Sequence, residues 1–541
     1  MLEKIKDISD KKMYIFTVAI MSLTYIFIMF FLHRYISCML DSDDSSELIL
    51  ARILADENKM LTSKWYYSTE IRCLNTNLVY SFFFKIFTNW HLVRMCSVGV
   101  LIICFIASIC YLCKRLCISL YFPFITFIIL SQGGDYFYFI YKVGYYIPHI
   151  AILFLGLGFV YAYNKSDAVH KIYIGMASFV LSFVSCLGGP RQLIILYLPL
   201  ILTTFLLVIL RVMDGDKIKN YYSNKYNMFY FSLITFLGGV GGYIYNCKVL
   251  AEKYHFKSWD SIQYRLFDGG IFFTVINDFL KNYGYICEKV SIKSTYCNCI
   301  SVICFFISIV SVIHAIKYRK TVKFGYLFLA SFYVVDLSVF LCIYTFTNMQ
   351  YESRYNLPVI ILSYFLIFLF IREKIKNNNT LNIIIIGCTI LFLIRSGIFY
   401  YSLYEVFASK DYVNEKAVIA EKMVNNGYLY GYGTFWNANV LTELSDGQIE
   451  MHHWCDTGRD CNGDAISSLT DINQTFKWLQ KVSHDDVYPY GQKCFIILSQ
   501  SEFDKFEWKE KMLDDELLYC TDQYVVYGYD TYEIMIDSLY S

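Results

Sequence analysis

Four carboxylates stand together near the start of the chain, in Leu40-Asp41-Ser42-Asp43-Asp44-Ser45-Ser46-Glu47. A positioned carboxylate can take a proton from an attacking hydroxyl as a general base. Adjacent carboxylates can instead hold a divalent cation, Mg2+ or Mn2+, through oxygen ligands. The residue types alone do not separate base from metal ligand. Part of the group has a structural explanation. Asp44-Ser45-Ser46-Glu47 has the spacing of a capping box opening a helix through Leu50, Leu54 and Leu61, with Asp44 as the N-cap. That leaves Asp41 and Asp43 over. An Asp beside a helix N-terminus sees the positive end of the helix dipole and stays ionised, which suits a base.

Basic side chains supply the complementary chemistry. Arg191 follows two glycines and a proline in Gly188-Gly189-Pro190-Arg191-Gln192, and Arg354 lies in Tyr351-Glu352-Ser353-Arg354-Tyr355. Two guanidiniums on one face could clamp a phosphate or diphosphate by bidentate hydrogen bonds. Snorkelling to lipid headgroups explains a lone arginine equally well, and Glu352 could simply pair with Arg354. Lys142 and Arg265 are further cationic candidates. Glu47, Gln192 and Tyr351 complete the set of substrate-binding candidates in the same segments.

A second group, His452-His453-Trp454-Cys455 followed by Cys461 and Asp464, has metal-ligand residue types. A Cys455–Cys461 disulfide, or two free thiols, is the preferred reading, because no second Cys/His pair has metal-like spacing. Cys494 and Cys520 could pair as well. No Gly-rich phosphate loop, Ser/His/Asp arrangement or dinucleotide fingerprint is present, which argues against a nucleotide as direct substrate.

The elements that must position these residues are membrane helices. Of 541 residues, 56% are hydrophobic, 19% aromatic and 17% charged, and the mean hydropathy is +0.42. Such values leave the soluble range. A net charge of +1 gives no reason to expect nucleic acid. About eleven runs approach the ~20 apolar residues a span needs: Met13–Phe31, Leu92–Cys113, Leu116–Leu130, Ile147–Tyr163, Ile172–Cys186, Leu193–Leu210, Phe229–Tyr245, Cys299–Ile316, Phe324–Phe346, Leu357–Ile371 and Leu381–Tyr401. With the Lys-rich N-terminus in the cytoplasm, every segment after an even-numbered run is basic: Lys114-Arg115, Lys165 to Lys171, Arg211 to Lys225, Lys317 to Lys323 and Arg372 to Lys376. The positive-inside rule therefore puts the acids of loop 33–91, the Gly188–Gln192 turn, loop 247–298 and the Tyr351–Tyr355 segment on the other side. No cleavage site follows the first run.

Residues 1–404 then form a polytopic all-α bundle. Residues 405–541 read as a small extracytoplasmic α/β domain. In it, Lys416–Val424 is an expected helix, Cys494–Leu498 and Gln523–Tyr527 are expected strands, and Gly431, Gly433, Gly447 and Gly528 mark turns.

With these residues in place, the chain resembles bacterial integral-membrane glycosyltransferases of the GT-C fold type. The resemblance is carried by Ser42-Asp43-Asp44-Ser45-Ser46-Glu47-Leu48, Trp65-Tyr66-Tyr67-Ser68-Thr69-Glu70, Trp90-His91-Leu92-Val93-Arg94, the Gly188–Gln192 turn and Tyr430-Gly431-Tyr432-Gly433-Thr434-Phe435-Trp436-Asn437-Ala438-Asn439. It implies a polyprenyl-phosphate sugar donor, a glycan, lipid or protein acceptor, membrane lipids around the bundle, and reaction at the outer face of the plasma membrane. It further implies Asp43 as base with Asp44 second, and Arg191 and Arg354 as phosphate binders. The family pair is commonly Asp-Glu or Glu-Asp; here it is Asp-Asp. Trp436 is a stacking surface for an acceptor or, preferably, a core residue. The rival expectations are a transporter or flippase for a lipid-linked glycan, for which Asp336 is the nearest mid-membrane charge, and a non-catalytic assembly protein.

Overall fold

A computed structural model of the chain describes residues 2–69, 71, 73–116, 125, 128–130, 133–214, 227–256, 263–286, 291–349, 352–409, 412–454, 476–506 and 508–540. Its principal helices are α1 (Leu2–Met39), α2 (Ser42–Glu57), α3 (Thr76–Phe84), α4 (Trp90–Arg115), α5 (Ile147–Lys165), α6 (Ala168–Cys186), α7 (Leu198–Met213) and α8 (Asn227–Tyr245). They continue with α9 (Gly269–Asn282), α10 (Ile292–Lys317), α11 (Phe324–Phe346), α12 (Leu357–Lys374), α13 (Asn378–Phe407), α14 (Glu415–Asn425), α15 (Phe435–Leu444) and α16 (Tyr532–Tyr540).

Counted with the turns that lead into or out of them, ten of these, α1, α4 to α8 and α10 to α13, are long and apolar enough to cross a membrane. They coincide with ten of the eleven expected runs. Most of the eleventh, Leu116–Leu130, lies outside the described residues, as do Tyr351 and the Cys455–Cys461 pair. The protein is a multi-pass membrane protein built as a helical bundle with a small C-terminal sheet. Three of the spanning helices share one design. α5, α7 and α12 carry Pro148, Pro199 and Pro358 in the first turn and Lys165, Arg211, Arg372 and Lys374 in the last. Proline is tolerated where no backbone donor is needed, and the cations suit the negative end of the dipole.

The described chain divides into two compact units, neither continuous in sequence. One comprises Met1–Phe30, Val98–Cys247 and Trp259–Val406. The other comprises Phe31–Ser97, Lys248–Ser258 and Phe407–Ser541. In the first unit, α6 and α8 pack through Gly238 and Gly242. A Cβ at Gly242 would lie 2.1 Å from the Phe183 carbonyl oxygen, and one at Gly238 would lie 2.3 Å from Ser182 Oγ. Small residues one turn apart let two backbones meet where lipid offers no hydrophobic drive.

The second unit centres on a five-stranded sheet made of β2 (Tyr430–Gly433), β3 (Glu450–His453), β5 (Cys494–Ser499), β6 (Leu517–Cys520) and β7 (Tyr524–Tyr529). Their order is β3-β2-β5-β7-β6. β2 runs parallel to β3 and β5, and β7 runs antiparallel to β5 and β6. The central strand β5 is buried on both faces. Cys494, Ile496 and Leu498 join Met535 and Leu539 of α16 on one side, and Phe495 and Ile497 join Ile419 of α14 and Leu441 of α15 on the other. This makes an αβα sandwich. A two-residue strand after α2, β1 (Trp65–Tyr66), pairs antiparallel with β4 (Gln480–Lys481).

Several local expectations are corrected. Gly431, Gly433 and Gly528 are strand residues rather than turn residues. A Cβ at Gly431 would lie 2.3 Å from Met451 Sδ, and one at Gly528 would lie 2.2 Å from Leu518 Cδ1, so packing requires the glycines. Gly447 is a true turn, at φ +75°. Trp436 is 54% exposed rather than part of the core. Cys494 is a buried free thiol in β5 and Cys520 an exposed free thiol in β6, so they do not pair.

Candidate functional site

In the second unit, the acids occupy the first turn of α2, with the frame shifted from the one expected. Asp41, not Asp44, is the N-cap: Asp44 N donates to Asp41 Oδ1 at 2.9 Å, and Asp41 N donates to Asp44 Oδ2 at 3.3 Å. The capping box therefore accounts for Asp41 and Asp44. Asp43 stands exposed at the second helical position, where the positive end of the dipole favours its ionised form. Ser46 Oγ donates to the Asp43 carbonyl at 2.7 Å. Glu47 is buried and accepts from Thr76 Oγ1 at 3.0 Å, at the start of α3.

Residues distant in the chain hold this turn. Arg94, 1% exposed, gives Nε to Glu443 Oε1 at 2.5 Å and NH2 to Glu443 Oε2 at 2.6 Å. Its NH2 also donates to the Asp44 carbonyl at 3.0 Å. Asn439 Nδ2 reaches the Ser42 carbonyl at 3.5 Å and the Leu479 carbonyl at 3.0 Å. Both Asn439 and Glu443 project from α15. Lys416 Nζ donates to the Trp436 carbonyl at 2.9 Å. Burial lowers the pKa of that ammonium, with the Asp41 and Glu502 carboxylates opposing the shift. The structure thus finds roles for Arg94, Asn439 and Glu443 that no motif announced. Arg94 and Asn439 lie in stretches that carry the family resemblance, and Glu443 had no signal in sequence.

In the first unit, the two expected arginines meet. The Arg191 guanidinium lies 5.4 Å from the ring centre of Tyr355, and that of Arg354 lies 5.7 Å from the same ring. Arg191 also sits 5.8 and 5.3 Å from the Tyr145 and Tyr146 rings, and Arg354 sits 5.3 Å from Phe139. Aromatic faces pack against both cations. The turn before Arg191 needs its glycine, since Gly189 has φ +138°.

His149, which the sequence reading passed over, fixes the orientation of Arg191. Arg191 NH1 lies 3.3 Å from His149 Nε2, and the Gln192 amide lies 3.1 Å from His149 Nδ1. Gln192 Nε2 also donates to the His149 carbonyl at 3.4 Å. Lys142 is 5% exposed and lies 5.0 Å from the Tyr138 ring. Two π-helical turns, Phe137–Lys142 and Leu193–Tyr197, flank these residues. Arg265 binds elsewhere: its Nε donates to the Thr345 carbonyl at 3.3 Å and its NH2 to the Tyr344 carbonyl, at the end of α11. The Tyr344 ring stacks on Tyr355 at 6.3 Å.

No family model matches the chain, and no curated protein matches it. Solved structures do. The crystal structure of ArnT from Cupriavidus metallidurans bound to undecaprenyl phosphate superposes with a TM-score of 0.56 at 11% identity, over 96% of this chain and 98% of that one. The chain has the ArnT fold. The apo structure of the same ArnT gives a TM-score of 0.54 at 10% identity, with the same coverage. The ArnT fold extends over nearly the whole length of both proteins, so it includes the small C-terminal domain as well as the bundle. The expected polytopic bundle of GT-C-like fold is the architecture observed.

Proposed function

We propose that the protein transfers a sugar from a polyprenyl-phosphate donor to a glycan, lipid or protein acceptor at the outer face of a cell membrane. The observation that carries this reading is the pairing of Arg191 and Arg354 around the Tyr355 ring, in a chain with the fold of a protein crystallised with undecaprenyl phosphate. Two guanidiniums packed beside one aromatic ring can donate to a lipid phosphate, and they stabilise the charge that grows on it as the glycosidic bond breaks. Asp43 is the base that deprotonates the incoming hydroxyl. Asp44 is second, because its carboxylate serves the capping box. Direct displacement inverts the anomeric centre. In this reading the N-terminus is cytoplasmic, and the C-terminal domain and the acid-bearing turn are extracytoplasmic. The exposed Trp436 offers the acceptor a stacking face.

Donor binding tests the arginine assignment separately from turnover. Native mass spectrometry of the purified protein with added undecaprenyl phosphate should show one bound lipid, lost in Arg191→Ala/Arg354→Ala and kept in Asp43→Asn. Equal retention in the double variant would remove the phosphate-binding role. A transport reading rests on Asp336, which is 0% exposed in α11 with no hydrogen-bond partner at either carboxyl oxygen among the described residues. It requires Asp336→Asn to abolish lipid-linked glycan movement in vesicles that show no sugar transfer.

A further inference from the structure

We propose that Glu450, His452 and His484 form a binding site for one divalent transition-metal cation of the zinc class. Strand β3 puts Glu450 and His452 two residues apart, hence on one face. His484 joins them from the short 3-10 turn Val482–Asp485 that follows β4. One donor atom from each residue lies within 4.8 Å of the other two. Two imidazoles and a carboxylate are a donor set that suits Zn2+ and leaves a fourth position for water.

The hydrogen bonds around His484 call for a positive charge at this point. Gln480 Nε2 donates to the Phe476 carbonyl at 2.5 Å and to the His453 carbonyl at 3.4 Å, which fixes the amide orientation. Gln480 Oε1 therefore faces His484 Nδ1, 3.0 Å away, and Nδ1 must carry the proton. The lone pair of Nε2 then points at Glu450 Oε1, 2.9 Å away. A lone pair against an ionised carboxylate is repulsive unless a proton or a cation stands between them. The Nδ1–H to amide bond is also the kind of outer contact that orients a metal-binding imidazole.

His452 completes the group from β3: it is 4% exposed, and a ring nitrogen lies within reach of the Glu450 and His484 donor atoms. Its ring stacks on His484 at 3.9 Å. Access is provided by a cleft of about 370 Å3 lined by Glu450, Lys481, His484, Asn439, Asp446 and Trp90. Lys481 Nζ lies 2.8 Å from Glu450 Oε1, and its side chain is 33% exposed. This ammonium is the competitor: the cation takes its place on Glu450, and the lysine swings into the cleft.

The test uses the full-length protein in detergent, stripped with chelator and titrated with Zn2+, with Co2+ as a spectroscopic substitute. One zinc per chain is expected, and the cobalt form should show nitrogen and oxygen ligation without sulfur-to-metal charge transfer. His452→Asn and His484→Asn should each weaken binding by more than about 100-fold, beyond the ~10–100-fold that loss of an outer contact produces. Lys481→Met should tighten it, a gain that misfolding cannot mimic. Absence of stoichiometric zinc, cysteine ligation, indifference to the histidine variants, or weaker binding in Lys481→Met would each overturn the proposal.

Discussion

Asp43 and Asp44 are neighbours in the chain with different stations. Asp44 closes the capping box with Asp41, while Asp43 is exposed one residue earlier in the same turn. A general base contributes ~10²–10⁴-fold to rate, so Asp43→Asn should lower turnover by that order with little change in thermal stability. Asp44→Asn keeps an oxygen to accept from Asp41 N and should retain far more activity. Asp41→Ala, by contrast, removes the N-cap and should destabilise the protein by about 1 kcal/mol, read from its thermal midpoint. The residue types were legible in the sequence, but the frame was not. Asp41-Ser42-Asp43-Asp44 and Asp44-Ser45-Ser46-Glu47 both have box spacing, and only the packing of the turn under Arg94 and Asn439 selects the first. Arg191 and Arg354 were legible because each sits among polar residues at the end of an apolar run. His149 was not, since a single imidazole inside such a run carries no spacing signal.

At the scale of elements, α15 is the support of the acid-bearing turn. Arg94 and Glu443 form a bidentate pair with side chains 1% and 5% exposed. Removing one partner leaves the other charge buried and unpaired, at a cost of ~3–5 kcal/mol. Glu443→Ala should therefore lower thermal stability sharply and displace the Asp44 carbonyl, lowering turnover too. Arg94→Met/Glu443→Leu should recover the stability without the activity. A double-mutant cycle on both readouts checks this. Strand β3 makes a pH prediction. Burial pushes the pKa values of His452, His453 and His484 below the ordinary 6.5, with Glu450 and Asp485 opposing and Lys481 adding to the shift where they face these rings. Below pH 6.5 the unfolded chain takes up protons that the folded imidazoles refuse. Stability is therefore full above pH 6.5 and lost as pH falls below it, by up to ~1.4 kcal/mol per pH unit for each imidazole. Thermal midpoints at pH 7.5, 6.5 and 5.5 should fall, and fall less steeply in His452→Asn/His453→Asn. None of this was visible from spacing, because β3 and the Val482–Asp485 turn meet through side-chain contacts such as His484 with Glu450, across thirty-odd residues of chain.

At the scale of the molecule, the bundle was the most legible feature, because hydropathy over ~20 residues is a strong local signal. Ten expected runs became ten helices. The division into compact units was less legible, since residues 31–97 and 248–258 group with the C-terminal sheet through pairings such as β1 with β4 and Tyr66 with His255. The account places Ser45, Trp436 and Asn298 across the membrane from Lys12 and Lys320. Single cysteines introduced at these positions should follow that division towards a membrane-impermeant maleimide added to intact cells. The central claim is sugar transfer assisted by Asp43 and the arginine pair. Its most direct measurement is transfer from radiolabelled polyprenyl-phosphate sugar in membranes containing the wild type, Asp43→Asn or Arg191→Ala/Arg354→Ala. The account predicts label moving to acceptor in the wild type and a loss of at least ~100-fold in both variants. Wild-type membranes without transfer, or variants with undiminished transfer, would contradict it.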